Sequence, residues 1–264
     1  MKIGVFDSGL GGLVVTKAFV DAMPEYDYVY YGDTANLPYG EKNSERVLAY
    51  TIEAIKFLIK QNCGIIIIAC NTATSIALRY LQQKFIPAYA PDVKVLGVVI
   101  PTVEEALVDN AKKVGVLATT ATVNSHIYQQ ELLKIKHDLK ISEVASPELV
   151  PAIENNDFAT AESFAKHYCS QFNDIDSLIL GCTHYPLLKT YFRKYCSEKV
   201  NVVSQDELMG KKLYDYLQRH VEIDICLSRN SELKVYVSKS SEKYIEVAQS
   251  LFPNLLLHEM VQNA

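Results

Sequence analysis

The sequence predicts an α/β fold of two pseudo-symmetric lobes, each a mostly parallel sheet flanked by helices, with the active site in the cleft between the lobes. Apolar β-branched runs alternate with helical patterns along all 264 residues, which is typical of parallel sheets covered by helices. Residues 2–6 also resemble residues 113–117, and two apolar runs that end in Cys70 and Cys182 recur at nearly the same spacing. The repeated spacing indicates an internal duplication.

The first half contains four predicted strands, each an apolar or β-branched run followed by turn residues. They cover residues 2–6, 28–31, 64–69 and 93–99. Residues 44–60 predict a helix because apolar side chains recur there at intervals of three and four. Those side chains are Val47, Leu48, Ile52, Ile55 and Ile59.

The pattern restarts after Pro101. The second set of predicted strands covers residues 113–117, 141–144, 178–180 and 200–203, with a helix over 160–171 among them. A helix over 207–218, a strand over 233–237 and a helix over 242–251 are predicted to close the chain. Strands separated by helices favour a parallel sheet in each half.

Composition narrows the class of protein. The net charge of -5 and the pI near 5.7 argue against a general nucleic-acid or anionic-membrane binder, which needs a basic surface. The first residues turn polar too early for a signal peptide, and no apolar run is long enough for a membrane span. We therefore expect a cytoplasmic protein with a small-molecule partner and reduced thiols at its six cysteines.

Cys70 and Cys182 end buried strands and precede helices. Ligands of open α/β sheets bind in the crevice beyond the carboxyl ends of the strands, so two thiols are expected to face one ligand. A thiol and a thiolate on opposite faces of a carbon can remove a proton and return one from the other side. A following helix is expected to lower each thiol pKa. The other cysteines, Cys63, Cys169, Cys196 and Cys226, are interpreted as structural.

Four motifs together resemble the glutamate branch of the cofactor-independent aspartate/glutamate racemase family. They cover residues 6–12, 31–40, 69–74 and 181–187, and the resemblance extends from residue 1 to about residue 260. It implies interconversion of L- and D-glutamate without a cofactor or metal, supplying D-glutamate for peptidoglycan and the cell wall. It also implies that the end of the chain returns to the first lobe, so the expected lobes are residues 1–97 plus 208–264, and residues 98–207.

The resemblance assigns catalytic roles by position. Cys70 is similar to the base that deprotonates the D enantiomer, and Cys182 to the base for the L enantiomer. Asp7 resembles a carboxylate that assists Cys70, and His184 resembles the partner of Cys182. A strand-end Asp is otherwise a common helix cap, and a lone His is otherwise a common core or surface residue.

The same resemblance implies substrate contacts. The positions that match are Ser8, Pro38, Tyr39, Gly40, Asn71, Thr72, Thr119, Thr122 and Thr183. Residues 38–40 match a loop that closes over the substrate, and Thr119 and Thr122 match the threonines near the side-chain carboxylate. Asp33 and Glu154 match acidic positions that support the site or face the ammonium group. Glu148 stands where the family usually has an apolar residue, which leaves the choice between Glu148 and Glu154 open.

Several alternatives stay open on the sequence. Residues 9–12 are rich in glycine, as in a nucleotide-binding oxidoreductase, but lack the Gly-x-Gly-x-x-Gly spacing. A zinc hydrolase could use Cys70, Cys182 and His184 as ligands, but the sequence lacks the paired Cys or His spacing that would complete a zinc site. A non-enzymatic two-lobe amino-acid-binding protein would share the architecture. Aspartate racemase is the nearest relative in function, although its branch commonly has Glu where His184 stands. A homodimer is also left open.

Overall fold

The computed structural model describes residues 1–253 and 257–259 and contains two separate parallel sheets. This confirms the predicted α/β class with its two helix-flanked sheets. No helix within the described residues is both long enough and apolar enough to cross a membrane.

The first sheet has six strands in the order β10-β9-β2-β1-β3-β4. Its strands are β1 (Lys2–Asp7), β2 (Tyr28–Gly32), β3 (Cys63–Ile68), β4 (Lys94–Gly97), β9 (Leu233–Val237) and β10 (Leu257–Glu259). All pairs are parallel, with Phe6 beside both Tyr31 and Ile68. Residues 65–68 are four consecutive isoleucines, and all are buried, because helices cover both faces of this central strand.

The second sheet has four strands in the order β6-β5-β7-β8. Its strands are β5 (Lys113–Ala118), β6 (Lys140–Ala145), β7 (Ser177–Gly181) and β8 (Asn201–Val203). This order repeats the β2-β1-β3-β4 part of the first sheet, with β1 equivalent to β5 and β3 to β7. Cys70 and Cys182 therefore follow equivalent strands, as the repeated sequence pattern predicts.

Thirteen α-helices surround the sheets in the described part of the chain. The first six lie between residues 11 and 125 of the chain: α1 (Gly11–Ala22), α2 (Ser44–Lys60), α3 (Asn71–Tyr80), α4 (Ile86–Tyr89), α5 (Val99–Ala106) and α6 (Thr120–Ser125). The others are α7 (Ile127–Ile135), α8 (Leu149–Glu154), α9 (Phe158–Cys169), α10 (Lys189–Tyr195), α11 (Gln205–Arg219), α12 (Val221–Asp224) and α13 (Glu242–Leu251). Short 3-10 turns lie at Thr34–Asn36, Tyr39–Glu41 and Tyr185–Leu188, and a π-helical turn at Leu81–Phe85.

The boundaries differ from the sequence predictions at a few ends. The strand predicted over 93–99 covers only Lys94–Gly97, because Val98 already accepts a hydrogen bond from the Thr102 amide and Pro101 lies in the first turn of α5. Helices α9 and α11 begin two residues before the predicted starts. Strand β10 was not predicted.

One apolar cluster contains residues from both sheets. Val5 and Ile67 of the first sheet belong to it together with Val116 and Ile179 of the second. The outer faces carry separate clusters, one under α2 and α3 and one under α8, α9 and α10. The shared cluster holds the two sheets beside each other, which places the ends of β1, β3, β5 and β7 around one cavity.

Candidate active site

A cavity of about 470 Å³ lies where the carboxyl ends of the two sheets meet. Its lining includes eleven of the predicted site residues: Ser8, Pro38, Tyr39, Gly40, Cys70, Asn71, Thr72, Thr119, Cys182, Thr183 and His184. Asp7, Asp33, Thr122 and Glu154 do not line it, and each lies behind a residue that does.

Cys70 occupies the N-cap of α3, directly beyond β3. Its sulfur accepts a hydrogen bond of 3.4 Å from the Ala73 amide and lies 3.5 Å from the Ser8 hydroxyl. Burial raises the pKa of Cys70 to about 12, and the nearby Asp7 charge adds to the rise. The hydrogen bond from the Ala73 amide at the start of the helix does lower the pKa of Cys70, as predicted, but burial raises it more. The net pKa shift is therefore opposite to the sequence prediction.

Asp7 ends β1 and is completely buried. One carboxylate oxygen accepts the amides of Gly9 and Gly12, at 3.0 and 2.9 Å. The other accepts the hydroxyl of Thr183, 3.1 Å away, from the second sheet's side of the cavity. Burial raises the pKa of Asp7, although the His184 charge and these hydrogen bonds oppose the rise.

Cys182 follows β7 and lies beside His184. Its sulfur is 3.7 Å from His184 Nδ1, and His184 Nε2 is 2.5 Å from a Glu154 carboxylate oxygen. Burial alone would lower the pKa of His184, but the hydrogen bonds with Cys182 and Glu154 raise it well above its usual range. The Cys182 sulfur and the Glu154 carboxylate thus both favour the protonated form of the imidazole.

Glu154, and not Glu148, lies behind the cavity. Glu148 is exposed and accepts a hydrogen bond from the Tyr168 hydroxyl. Sequence spacing could not decide between Glu148 and Glu154, because the choice depends on how α8 packs. Only Glu154, the last residue of α8, contacts His184.

Three threonine hydroxyls meet between the lobes. Thr72 Oγ1 lies 2.9 Å from Thr119 Oγ1 and 3.2 Å from Thr122 Oγ1, and the latter two are 3.0 Å apart. Thr72 is in the first turn of α3, whereas Thr119 and Thr122 begin α6. The hydroxyl of Thr122 reaches the cavity only through its neighbours.

Asn71 is held by a buried amide pair. Its Nδ2 donates to Gln205 Oε1 over 3.0 Å, and its Oδ1 accepts Gln205 Nε2 and the Tyr128 hydroxyl, at 2.9 and 2.6 Å. Gln205 also donates to Thr102. Sequence reasoning missed Gln205, since nothing local marks the first residue of α11 as a neighbour of Asn71.

Asp33 supports the loop of residues 38–40. Its carboxylate accepts hydrogen bonds from the hydroxyls of Tyr39 and Ser238, at 2.6 and 2.8 Å, and from the Asn36 amide. Further lining residues that the sequence did not indicate are Leu37, Glu41, Ser146, Pro147, Val150 and Pro151. Leu37 lies within the motif of residues 31–40 and Glu41 directly follows it, whereas the other four are near Glu148 and Glu154 in the sequence. This proximity is the only signal they carry.

The glycine-rich turn after β1 serves close packing. A Cβ on Gly11 would lie 2.3 Å from the Thr183 carbonyl carbon, and one on Gly12 would lie 2.1 Å from Asp7 Cβ. These glycines let α1 approach the other side of the cavity. Within residues 1–253 and 257–259, no group of three or more His, Cys, Asp or Glu side chains could hold a metal ion.

Two parallel sheets that share a cavity, with a cysteine beyond an equivalent strand on each side, define the two-lobed class of amino-acid racemases. The chain belongs to the Asp/Glu/Hydantoin racemase family, whose sequence model matches residues 4–206.

Individual relatives agree with this assignment. Glutamate racemase of Oceanobacillus iheyensis is 35% identical over 261 residues, covering 95% of this chain and 91% of that protein. The crystal structure of a Bacillus anthracis glutamate racemase isoform is 32% identical, with a TM-score of 0.87 and coverage of 98% and 97% of the two chains. Francisella tularensis glutamate racemase in complex with D-glutamate is 34% identical, with a TM-score of 0.85 and coverage of 98% and 96%.

Proposed function

We propose that this protein is a glutamate racemase that interconverts L- and D-glutamate with Cys70 and Cys182 as its two bases and no cofactor. The observation that carries the proposal is the placement of both thiols on one cavity, beyond equivalent strands of two sheets. The glutamate racemases among its relatives, one of them in complex with D-glutamate, support glutamate as the substrate.

In the L-to-D direction, the Cys182 thiolate takes the Cα proton and the Cys70 thiol gives its proton to the opposite face of the carbanion. Cys182 ends the step as a thiol and Cys70 as a thiolate. The high pKa of Cys70 keeps its proton available for this step. A positive charge on His184, whose Nδ1 lies 3.7 Å from the Cys182 sulfur, stabilises the Cys182 thiolate that begins this step. The reverse direction uses the same groups in exchanged roles.

The remaining residues bind and orient the substrate. The hydroxyls of Ser8, Thr72 and Thr119 line the cavity and supply donors for the substrate carboxylates. Pro38, Tyr39 and Gly40 form a wall that excludes water, which strengthens each electrostatic contact inside the cavity. Positioning and electrostatics are the means available for stabilising a carbanion without an electron sink.

The cellular role follows from the product. We propose that the enzyme acts in the cytoplasm and supplies D-glutamate for peptidoglycan synthesis, with glutamate as its small-molecule partner. We also propose lobe boundaries at residues 1–97 plus 208–264 and at residues 98–207. In support, the strands of the first sheet lie within residues 2–97 and 233–259, and those of the second lie within residues 113–203.

Incubation with each enantiomer of glutamate in deuterated water, without added cofactor, tests the activity. In the first turnovers we expect α-deuterium in the product but protium in the remaining substrate, because separate thiols remove and return the proton. Binding of glutamate without exchange would favour the amino-acid-binding protein, and exchange with aspartate alone would favour aspartate racemase.

Alanine variants test the two bases. Cys70→Ala and Cys182→Ala should each lower racemisation by about 10²–10⁴-fold or more, the usual contribution of a general acid or base. Cys63→Ala is the matched control, because Cys63 is buried at the opposite end of β3. Near-normal turnover in either active-site variant would remove that cysteine from the base role.

A further inference from the structure

Cys169 and Cys196 form a close thiol pair outside the cavity. Their sulfur atoms are 2.9 Å apart, and both are free thiols. Cys169 is the last residue of α9, and Cys196 directly follows α10. Because both helices return antiparallel to the strands between which they lie, their carboxyl ends meet at the edge of the sheet opposite the cavity.

The two thiols differ in access. Cys169 is buried, whereas Cys196 is partly exposed. Both line a surface cavity of about 690 Å³ that also includes Phe172, Tyr195 and Lys199. A small molecule in this cavity can therefore reach the sulfur of Cys196 more easily than that of Cys169, which is buried.

The two thiols also differ in acidity. The hydrogen bond with Cys169 lowers the pKa of Cys196. The same hydrogen bond, together with burial, raises the pKa of Cys169. An accessible thiol of lowered pKa beside a buried second thiol is the arrangement in which one cysteine attacks a disulfide and the other resolves the product.

We propose that Cys169 and Cys196 are a reversible disulfide site, oxidised by a small-molecule disulfide of the glutathione type and separate from the two thiols of the cavity. The Cys196 thiolate attacks one sulfur of the oxidant and releases the first small thiolate, which leaves a mixed disulfide. Cys169 then loses its proton and attacks the Cys196 sulfur, which releases the second small thiolate. The two protein thiols lose two electrons and two protons in total, and the oxidant becomes two thiols.

The position of the pair gives the disulfide a defined structural effect. Helix α9 follows Glu154 of α8, and α10 follows the turn after His184. A bond between the carboxyl ends of α9 and α10 would tie together the two helices whose amino ends closely follow Glu154 and His184 in the chain. Cys70 stays protected during the oxidation, because it is buried and burial raises its pKa to about 12.

The test uses the full chain equilibrated in mixtures of reduced and oxidised glutathione, quenched with acid, alkylated and mapped by peptide mass. We expect a cross-link between the peptides of Cys169 and Cys196 that dithiothreitol reverses. Cys169→Ser should leave Cys196 as a stable mixed disulfide, and Cys196→Ser should leave Cys169 unmodified. Cys226→Ser, which removes an exposed cysteine outside the pair, should not change the cross-link.

Other results would overturn the proposal. One such result is that Cys169 and Cys196 stay reduced in glutathione mixtures that modify Cys226. Another is that the first cross-link to form includes Cys70 or Cys182. The cross-linked protein should also melt higher by roughly 5–10 °C, and a lower Tm would show that the pair does not fit a disulfide. These readouts need no turnover, so they stand apart from the test of racemase activity.

Discussion

The hydroxyl of Thr183 donates a hydrogen bond of 3.1 Å to the carboxylate of Asp7. Thr183 follows β7 and Asp7 ends β1, so the bond joins the two sheets directly between the two candidate bases. Asp7 accepts three hydrogen bonds while completely buried, and Thr183 is the one donor among the three that comes from the second sheet. This hydrogen bond can therefore form only when the two sheets are correctly placed around the cavity.

Thr183→Val should weaken both stability and activity. The valine keeps the shape but leaves a buried oxygen of Asp7 without its donor, which costs about 1–3 kcal/mol of unfolding free energy. We expect kcat/KM to fall by roughly 10-fold to 100-fold, about the same energy, and equally for both enantiomers, because these have equal free energy in water. Denaturant unfolding and racemisation assays measure the two effects. Thr183→Ser keeps the hydroxyl and should stay near the wild type; equal losses in both variants would contradict a role for the hydrogen bond.

Glu154→Gln should shift the pH profile. The Glu154 carboxylate helps to raise the pKa of His184, so a neutral amide lets that pKa fall and the imidazolium deprotonates at lower pH. Activity that needs the cation should then be lost at lower pH in the variant than in the wild type, which a kcat/KM profile measures in both directions. Glu148→Gln is the control, because its carboxylate contacts Tyr168 and not His184. A profile shifted by Glu148→Gln instead would reverse the assignment.

Gly11→Ala should hold the two lobes apart. The new methyl carbon would lie 2.3 Å from the backbone of Thr183, and backbone atoms cannot move aside as a flexible side chain can. We expect racemisation to fall by at least about 10²-fold, as for a small misplacement of catalytic groups. At Gly64 the nearest atoms to a new methyl carbon would be those of the Met1 side chain, with the flexible sulfur at 2.6 Å, so Gly64→Ala should keep its activity. Wild-type activity in Gly11→Ala would show that the close approach is not needed.

Gln205→Glu should disturb the amide pair at Asn71. A carboxylate oxygen would replace the Nε2 that donates to Asn71 Oδ1 and to Thr102, so acceptor would face acceptor in a buried place. We expect a loss of about 1–3 kcal/mol of unfolding free energy and a lower kcat, since Asn71 adjoins Cys70. Gln171→Glu makes the same exchange at an exposed position and should change neither. An unaffected kcat in a destabilised Gln205→Glu would limit Gln205 to a structural role.

The sequence indicated those features that depend on neighbouring residues. The isoleucine run of β3 and the cysteine after it are local patterns, so the strands and the cavity position of Cys70 and Cys182 could be predicted. The contact of Glu154 with His184 depends on how α8 packs against the turn after β7, and spacing contains no such information. The same holds for Gln205, and for Cys169 and Cys196, which are far apart in sequence and unremarkable one at a time.

The position of strand β9 has a consequence for synthesis. Strand β9 pairs with β2 along Tyr28–Gly32, and the nearby Ser238 hydroxyl contacts a residue 203 positions earlier, Ala35. The ribosome therefore releases every strand of the second sheet before the partner of β2 exists. Until then β2 has an unpaired edge, which can pair with another chain. A nascent chain stalled before β9 is expected to recruit chaperones or to aggregate, whereas the second sheet can already fold.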